Sequence, residues 1–257
     1  MPARAASRGD DALVTQSGRA SSRVAGAFAA ALLGLAALGT RAAPAGAVVP
    51  SALAVRSEVA RTNAQAGRSQ RLVLDVAVVD EAGATAATGR AVLEPGRPAR
   101  LDLALADGRR ELHERSASGY RVIREGAPVE RALPLLPPLD LLQARTEAEV
   151  AAALEALGGQ PERVDLGMAG GADCWVLGGR DSGPFDQNGR PSYWLDQDAR
   201  RPVRIDQGDG TRFRFGPPAR HLPAVFFPAW YLVEAPGWPR WRVEVRSVAA
   251  GTAPAAP

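Results

Sequence analysis

Apolar and polar residues alternate with a period of two along much of the last sixty positions of the chain. Val203 and Ile205 flank Arg204, Phe213 and Phe215 flank Arg214, and Trp241, Val243 and Val245 are set among Arg240, Arg242, Glu244 and Arg246. Successive side chains of a strand point to opposite faces, so the pattern predicts short antiparallel strands with one apolar and one charged face. Turn-forming clusters at 198–202, 208–210 and 236–239 divide them. The first half of the chain reads the same way. Strands are predicted over 71–80, where Leu72, Leu74, Val76 and Val78 share a face, and over 89–94, 99–106, 110–115 and 120–125. Their turns are Pro95-Gly96, Asp107-Gly108 and Ser118-Gly119. Two more strands, 163–168 and 173–177, precede a glycine-rich stretch at 178–189.

Helical spacing occurs in two places. Residues 51–66 carry Ala52, Val55 and Val59 on one face, with Gly67 as the stop, and Thr146 with Glu149 forms a capping box ahead of Val150, Leu154 and Leu157. The second helix lies between the two halves of the sheet. Before it, the leucine-rich run 133–142 is broken by Pro134, Pro137 and Pro138, which predicts a loop leading into a helical turn. The segment 226–233 is apolar on both alternations and predicts a strand covered on both faces, one by the core and the other by a lid, a ligand or a partner.

Three passages resemble the LolA-like periplasmic outer-membrane lipoprotein-sorting and carrier superfamily. They are Gly89-Arg-Ala-Val-Leu-Glu-Pro-Gly-Arg-Pro-Ala-Arg-Leu-Asp102, then Pro191-Ser-Tyr-Trp-Leu-Asp-Gln-Asp198 with Arg201-Pro-Val-Arg204, and Phe227-Pro-Ala-Trp230 with the hairpin to Val248. The resemblance implies an α+β fold, an incomplete antiparallel β-barrel with a helical lid. It also implies a protein that shields acyl chains. The chain departs from the family pattern at Glu94, which precedes Pro95 where the carriers have arginine.

An apolar run over 24–40, preceded by Arg19 and Arg23 and followed by Ala45-Gly46-Ala47, predicts a cleavable export signal over 1–47, with an uncleaved membrane anchor as the alternative. One domain is expected over 48–250 and a disordered tail over 251–257. The expected destination is the periplasm. No cysteine follows the run, so no lipid attachment site is expected there. Residues 1–47 hold five arginines and two aspartates, and their removal leaves 26 basic against 26 acidic residues. A neutral body argues against a nucleic-acid partner, because phosphate binding needs clustered cations. Cys174 stands alone and reads as a small buried hydrophobe.

Catalytic and metal chemistry find little support. The 179–184 motif superficially matches the nucleophile loop of chymotrypsin-like proteases but lacks its second glycine and reads as a turn. His113 and His221 fall at no metal-ligand spacing and read as surface or strand histidines. Asp196, Asp198, Asp206 and Asp209 lie in loops too short to supply the oxygens calcium takes, so they read as hairpin turns. No enzyme activity, metal or cofactor is expected.

The candidate site is an apolar cavity. Its expected walls are Leu72, Leu74, Val76 and Val78, then Leu101, Leu103 and Leu105, then Phe213, Phe215, Phe227 and Trp230, with Leu135, Leu139 and Leu142 as the lid. With the resemblance, this predicts a binding or carrier protein for a lipid or acylated lipoprotein. The other reading is a sensor or scaffold, like the RseB-type proteins, that grips a membrane-protein partner through the segment near Phe226.

Overall fold

A computed structural model describes residues 49–117, 119–179 and 190–251. The expected export segment, most of the glycine-rich stretch with the 179–184 motif, and the tail beyond Gly251 lie outside these residues. Helix α1 (Ala52–Gln65) comes first, followed by strands β1 (Leu72–Val79), β2 (Thr85–Leu93), β3 (Ala99–Leu105), β4 (Arg110–Ser116), β5 (Gly119–Arg124) and β6 (Ala127–Pro128). Two helices follow, α2 (Leu139–Gln143) and α3 (Glu147–Ala156). The second run of strands is β7 (Gln160–Ala169), β8 (Ala172–Gly178), β9 (Ser192–Asp196), β10 (Pro202–Asp206), β11 (Arg212–Phe215), β12 (Pro218–Leu222), β13 (Val225–Pro228), β14 (Trp230–Glu234) and β15 (Trp241–Ala250). Among the described residues no helix is long and apolar enough to cross a membrane.

Thirteen strands form one curved antiparallel sheet in the order β6-β5-β4-β3-β2-β1-β15-β14-β11-β10-β9-β8-β7. Two meanders are therefore joined where β1 pairs with β15. The two edges, β6 and β7, do not pair with each other, so the barrel is incomplete, as expected. That topology also explains the lid. The chain leaves one edge at β6 and re-enters at the opposite edge as β7, so residues 129–159 must cross between them. They do so over the apolar face. Leu136, Leu139, Leu141, Leu142, Val150 and Leu154 join Leu72, Leu101, Ile205, Phe213 and Val243 in one core.

The cap predicted for α3 forms, and α1 has one of its own. Ser51 Oγ accepts from Ala54 N–H at 3.2 Å, and Thr146 Oγ1 accepts from Glu149 N–H at 3.2 Å. Glu149 reaches back one residue further than a standard capping box and accepts from Arg145 N–H at 2.6 Å.

Three details depart from the sequence pattern. First, Val203 and Ile205 do not share a face. The β9–β10 pairing slips between Pro202 and Arg204, which sends Val203 and Arg204 outward together. There Arg204 lies 4.4 Å over the Trp194 ring, beside a small outer cluster of Cys174, Val176 and Trp194. Burial pushes the Cys174 thiol up to about 11, so it packs as a neutral hydrophobe. Second, the apolar segment 226–233 is not one strand. It breaks at Ala229 into β13, paired with β12 in a separate two-stranded sheet, and β14 in the main sheet. Phe227 is buried, whereas Phe226 is 38% exposed, so the segment is not covered on both faces. Third, β12 was not anticipated, because its sequence carries no alternation.

Gly89 shows why the passage 89–102 holds together. A Cβ there would sit 1.9 Å from the carbonyl oxygen of Asp102, so the first and last residues of that passage meet backbone to backbone. Gly89→Ala must push β2 from β3, and a loss of about 3 kcal/mol is expected. A urea midpoint unchanged from that of the parent protein would refute the close approach.

Candidate ligand-binding cavity

The inner face is not uniformly apolar. On β4 the inward residues are Glu111, His113 and Arg115, all buried. The reading of His113 as a strand residue holds, but it is 2% exposed and not on the surface. Register is the cause. The tight turn around Asp107 and Gly108 sets Leu101 opposite His113, Leu103 opposite Glu111 and Ala99 opposite Arg115. Directly opposed residues share a face, so inward leucines on β3 oblige the charged set on β4 to point inward.

These polar groups satisfy one another and the lid. His113 Nε2 lies 3.0 Å from Glu111 Oε2, and its Nδ1 lies 2.5 Å from the Tyr120 hydroxyl. That hydroxyl accepts Leu135 N–H at 2.8 Å. The set closes in the tautomer in which the Tyr120 O–H donates to Nδ1 and the Nε2–H donates to Glu111. Glu111 also takes Arg124 at 2.5 Å. Its carboxyl is held below the usual carboxylate range, first by the His113 hydrogen bond and further by Arg124, with burial opposing. A depressed folded value means that the stabilisation is present above the unfolded value near about 4.3 and is lost as pH falls through the lower folded value. Glu111→Gln should therefore flatten the melting-temperature profile on the acid side. Superimposable profiles for the two proteins would refute the coupling.

The lid is fastened mainly by side chains that hold its backbone. Prolines at 134, 137 and 138 keep the segment from forming a helix through its length, which leaves carbonyls in need of donors. Tyr231 donates to Leu135 O at 2.9 Å, and Arg115 Nε donates to Leu136 O at 2.8 Å. Arg115 also reaches Gln207 Oε1 at 3.1 Å and lies over the rings of Tyr120 and Phe213. From α1, Asn63 Nδ2 donates to Leu141 O at 2.9 Å and Ala144 O at 3.1 Å. Arg68 donates to Leu142 O at 3.3 Å and to Asn63 Oδ1 at 2.8 Å. Gln143 returns two bonds, to the carbonyls of Arg68 and Gln70. Arg68 and Arg115 have their pKa values lowered, first by burial.

Most of the expected cavity walls are brought together as a filled core. Leu72, Leu74, Val76, Val78, Leu101, Leu103, Phe213, Phe215 and Phe227 are all buried in it with Leu135, Leu139 and Leu142, and Leu105 packs at its border. Trp230 is the exception. It alternates with the inward Tyr231 on β14, and its indole lies against Gly216. Tyr231 takes the inner place expected of Trp230.

Open volume lies at the two ends of the strands. One cavity, of about 250 Å³, is walled by Val78, Leu103 and Leu105 from the sheet and by Leu133 and Leu135 from the lid, with Trp238 and Trp241 at the β14–β15 hairpin and Glu111, His113, Arg124 and Arg131 among the polar lining. At the other end a larger cleft, of about 650 Å³, lies between the Pro95–Pro98 turn and α3, with Ala152, Ala153 and Ala156 as one wall and Arg97 and Arg145 on its rim. Sequence reading missed the two tryptophans, which flank a turn, and missed Glu111 and His113 because charged side chains are not expected on an apolar inner face.

No protein-family model matches the chain, and no curated protein matches it. Solved structures similar in fold include a LolA superfamily protein from Nitrosomonas europaea, with 13% identity and a TM-score of 0.49 over 81% of this chain and 96% of that one. A second is a putative outer membrane lipoprotein-sorting protein domain from Vibrio parahaemolyticus, with 10% identity, a TM-score of 0.44, and 76% of this chain and 91% of that one covered. A third is a DUF1329 family protein from Desulfovibrio piger, with 12% identity, a TM-score of 0.44, and 78% and 94% covered.

Proposed function

We propose that the chain is an exported, non-enzymatic binding or carrier protein that shields the acyl chains of a lipid or lipoprotein against the inner face of its sheet. One observation carries the reading: a proline-broken lid, fastened through its backbone over an apolar face, has an apolar cavity already open at one end of it. A fastening of this kind is reversible. Each hydrogen bond contributes about 1 kcal/mol net, whereas an acyl chain gains about 0.8 kcal/mol per buried methylene. A chain of about a dozen methylenes thus supplies about 10 kcal/mol, enough to exchange for the lid's bonds and part of its leucine packing.

The periplasm is the compartment this reading assigns, through the export signal over 1–47. The test is to isolate the protein gently from its native envelope and identify what it carries by native mass spectrometry with lipid extraction. A stoichiometric lipid or acylated peptide supports the carrier. An empty protein in a stable complex with a membrane protein, independent of lipid, would replace this reading with the sensor or scaffold.

A further inference from the structure

We infer that the 250 Å³ cavity takes the end of an anionic amphiphile, with Arg131 pairing the head group at its mouth. The inference rests on the acyl-binding reading and adds the charge and orientation of the ligand. Arg131 is exposed at the rim of the cavity and makes no ion pair among the described residues. Its guanidinium lies 5.9 Å over the Trp238 ring, which is itself 36% exposed. A guanidinium laid on an indole keeps its donor edges free while one face is shielded, an arrangement suited to a carboxylate or phosphate. Arg124, the other cation of the lining, is already taken by Glu111.

The interior sets the direction of entry. Past the mouth the walls are Val78, Leu103 and Leu105, and the one carboxylate among the lining residues is Glu111. Glu111 and Arg124 are spent on each other and His113 on Glu111 and Tyr120, so the floor offers an anionic head no free donor while the leucines accept its chain. The head therefore stays outside, over Arg131.

Direct binding of hexadecanoate and of its uncharged methyl ester, measured by calorimetry with the protein and its Arg131→Gln variant, tests this. Arg131 is exposed, so the variant keeps the fold. The acid is expected to bind about tenfold more tightly than the ester, and Arg131→Gln should abolish that preference while leaving the ester unchanged. Equal binding of acid and ester to the parent protein would overturn the head-group site and leave the acyl reading standing. Failure of both to bind would overturn the acyl reading as well. A lysophosphatidate run in parallel reports whether phosphate serves in place of carboxylate.

Discussion

Asn63→Ala is expected to cost about 3 kcal/mol or more, lowering the melting temperature by about 6–12 °C for a chain of this size. The side chain is fully buried and occupies the centre of a relay. Its Nδ2 group serves the carbonyls of Leu141 and Ala144, and its Oδ1 accepts from Arg68. Truncation leaves two carbonyls without donors at once, each costing about 1–3 kcal/mol. It also strips the buried Arg68 guanidinium of its one side-chain acceptor among the described residues, where no carboxylate pairs with it. The double variant Asn63→Ala with Arg68→Met separates the two costs. Removing the stranded cation should restore part of the loss, because a buried charge without its partner is worse than none. A strictly additive double variant would show that Asn63 and Arg68 do not act as a pair.

The second large effect is on binding. Leu139 is 4% exposed and opens α2 over the core. A carboxylate cannot remain there unpaired, so Leu139→Glu should swing the lid segment into water. The sheet, whose thirteen strands are held by their own ladders, should keep its far-ultraviolet signature. Uptake of an acyl probe should fall by more than about tenfold, since the chain then lacks a roof. Intact uptake by a folded Leu139→Glu protein would remove the lid from the mechanism. The milder Leu139→Ala, with a cavity cost of about 2–5 kcal/mol, controls for stability alone.

Local patterns made most of the architecture legible. The strands β1 to β5 and the cap of α3 are read from neighbours in sequence, because alternation and a helix's first turn are set within a few residues. Three prolines likewise showed that 133–142 is no continuous helix, whereas its place as a lid came from the family resemblance. What escaped depends on partners far along the chain. Glu111, His113 and Arg115 turn inward because β3 dictates their register, a signal that lies in the pairing across the turn at Asp107 and not in the strand's own sequence. The outward turn of Val203 needs a slip in pairing that no single-strand pattern announces. Trp230 was assigned inward from its size, although its neighbour Tyr231 has the hydroxyl that the lid's Leu135 carbonyl requires.

An incomplete barrel has two edge strands, and an exposed edge strand can recruit strands from other molecules. Both edges here are poor templates. β6 is two residues long and ends on Pro128, which offers no N–H. β7 is longer, but its pairing slips between Gln160 and Val164, and it carries Pro161, whose carbonyl is occupied by Arg56 at 3.0 Å. If the protein opens to take up its ligand, as proposed, these features would keep it from polymerising edge to edge, and its aggregation rate should track lid opening rather than sheet exposure.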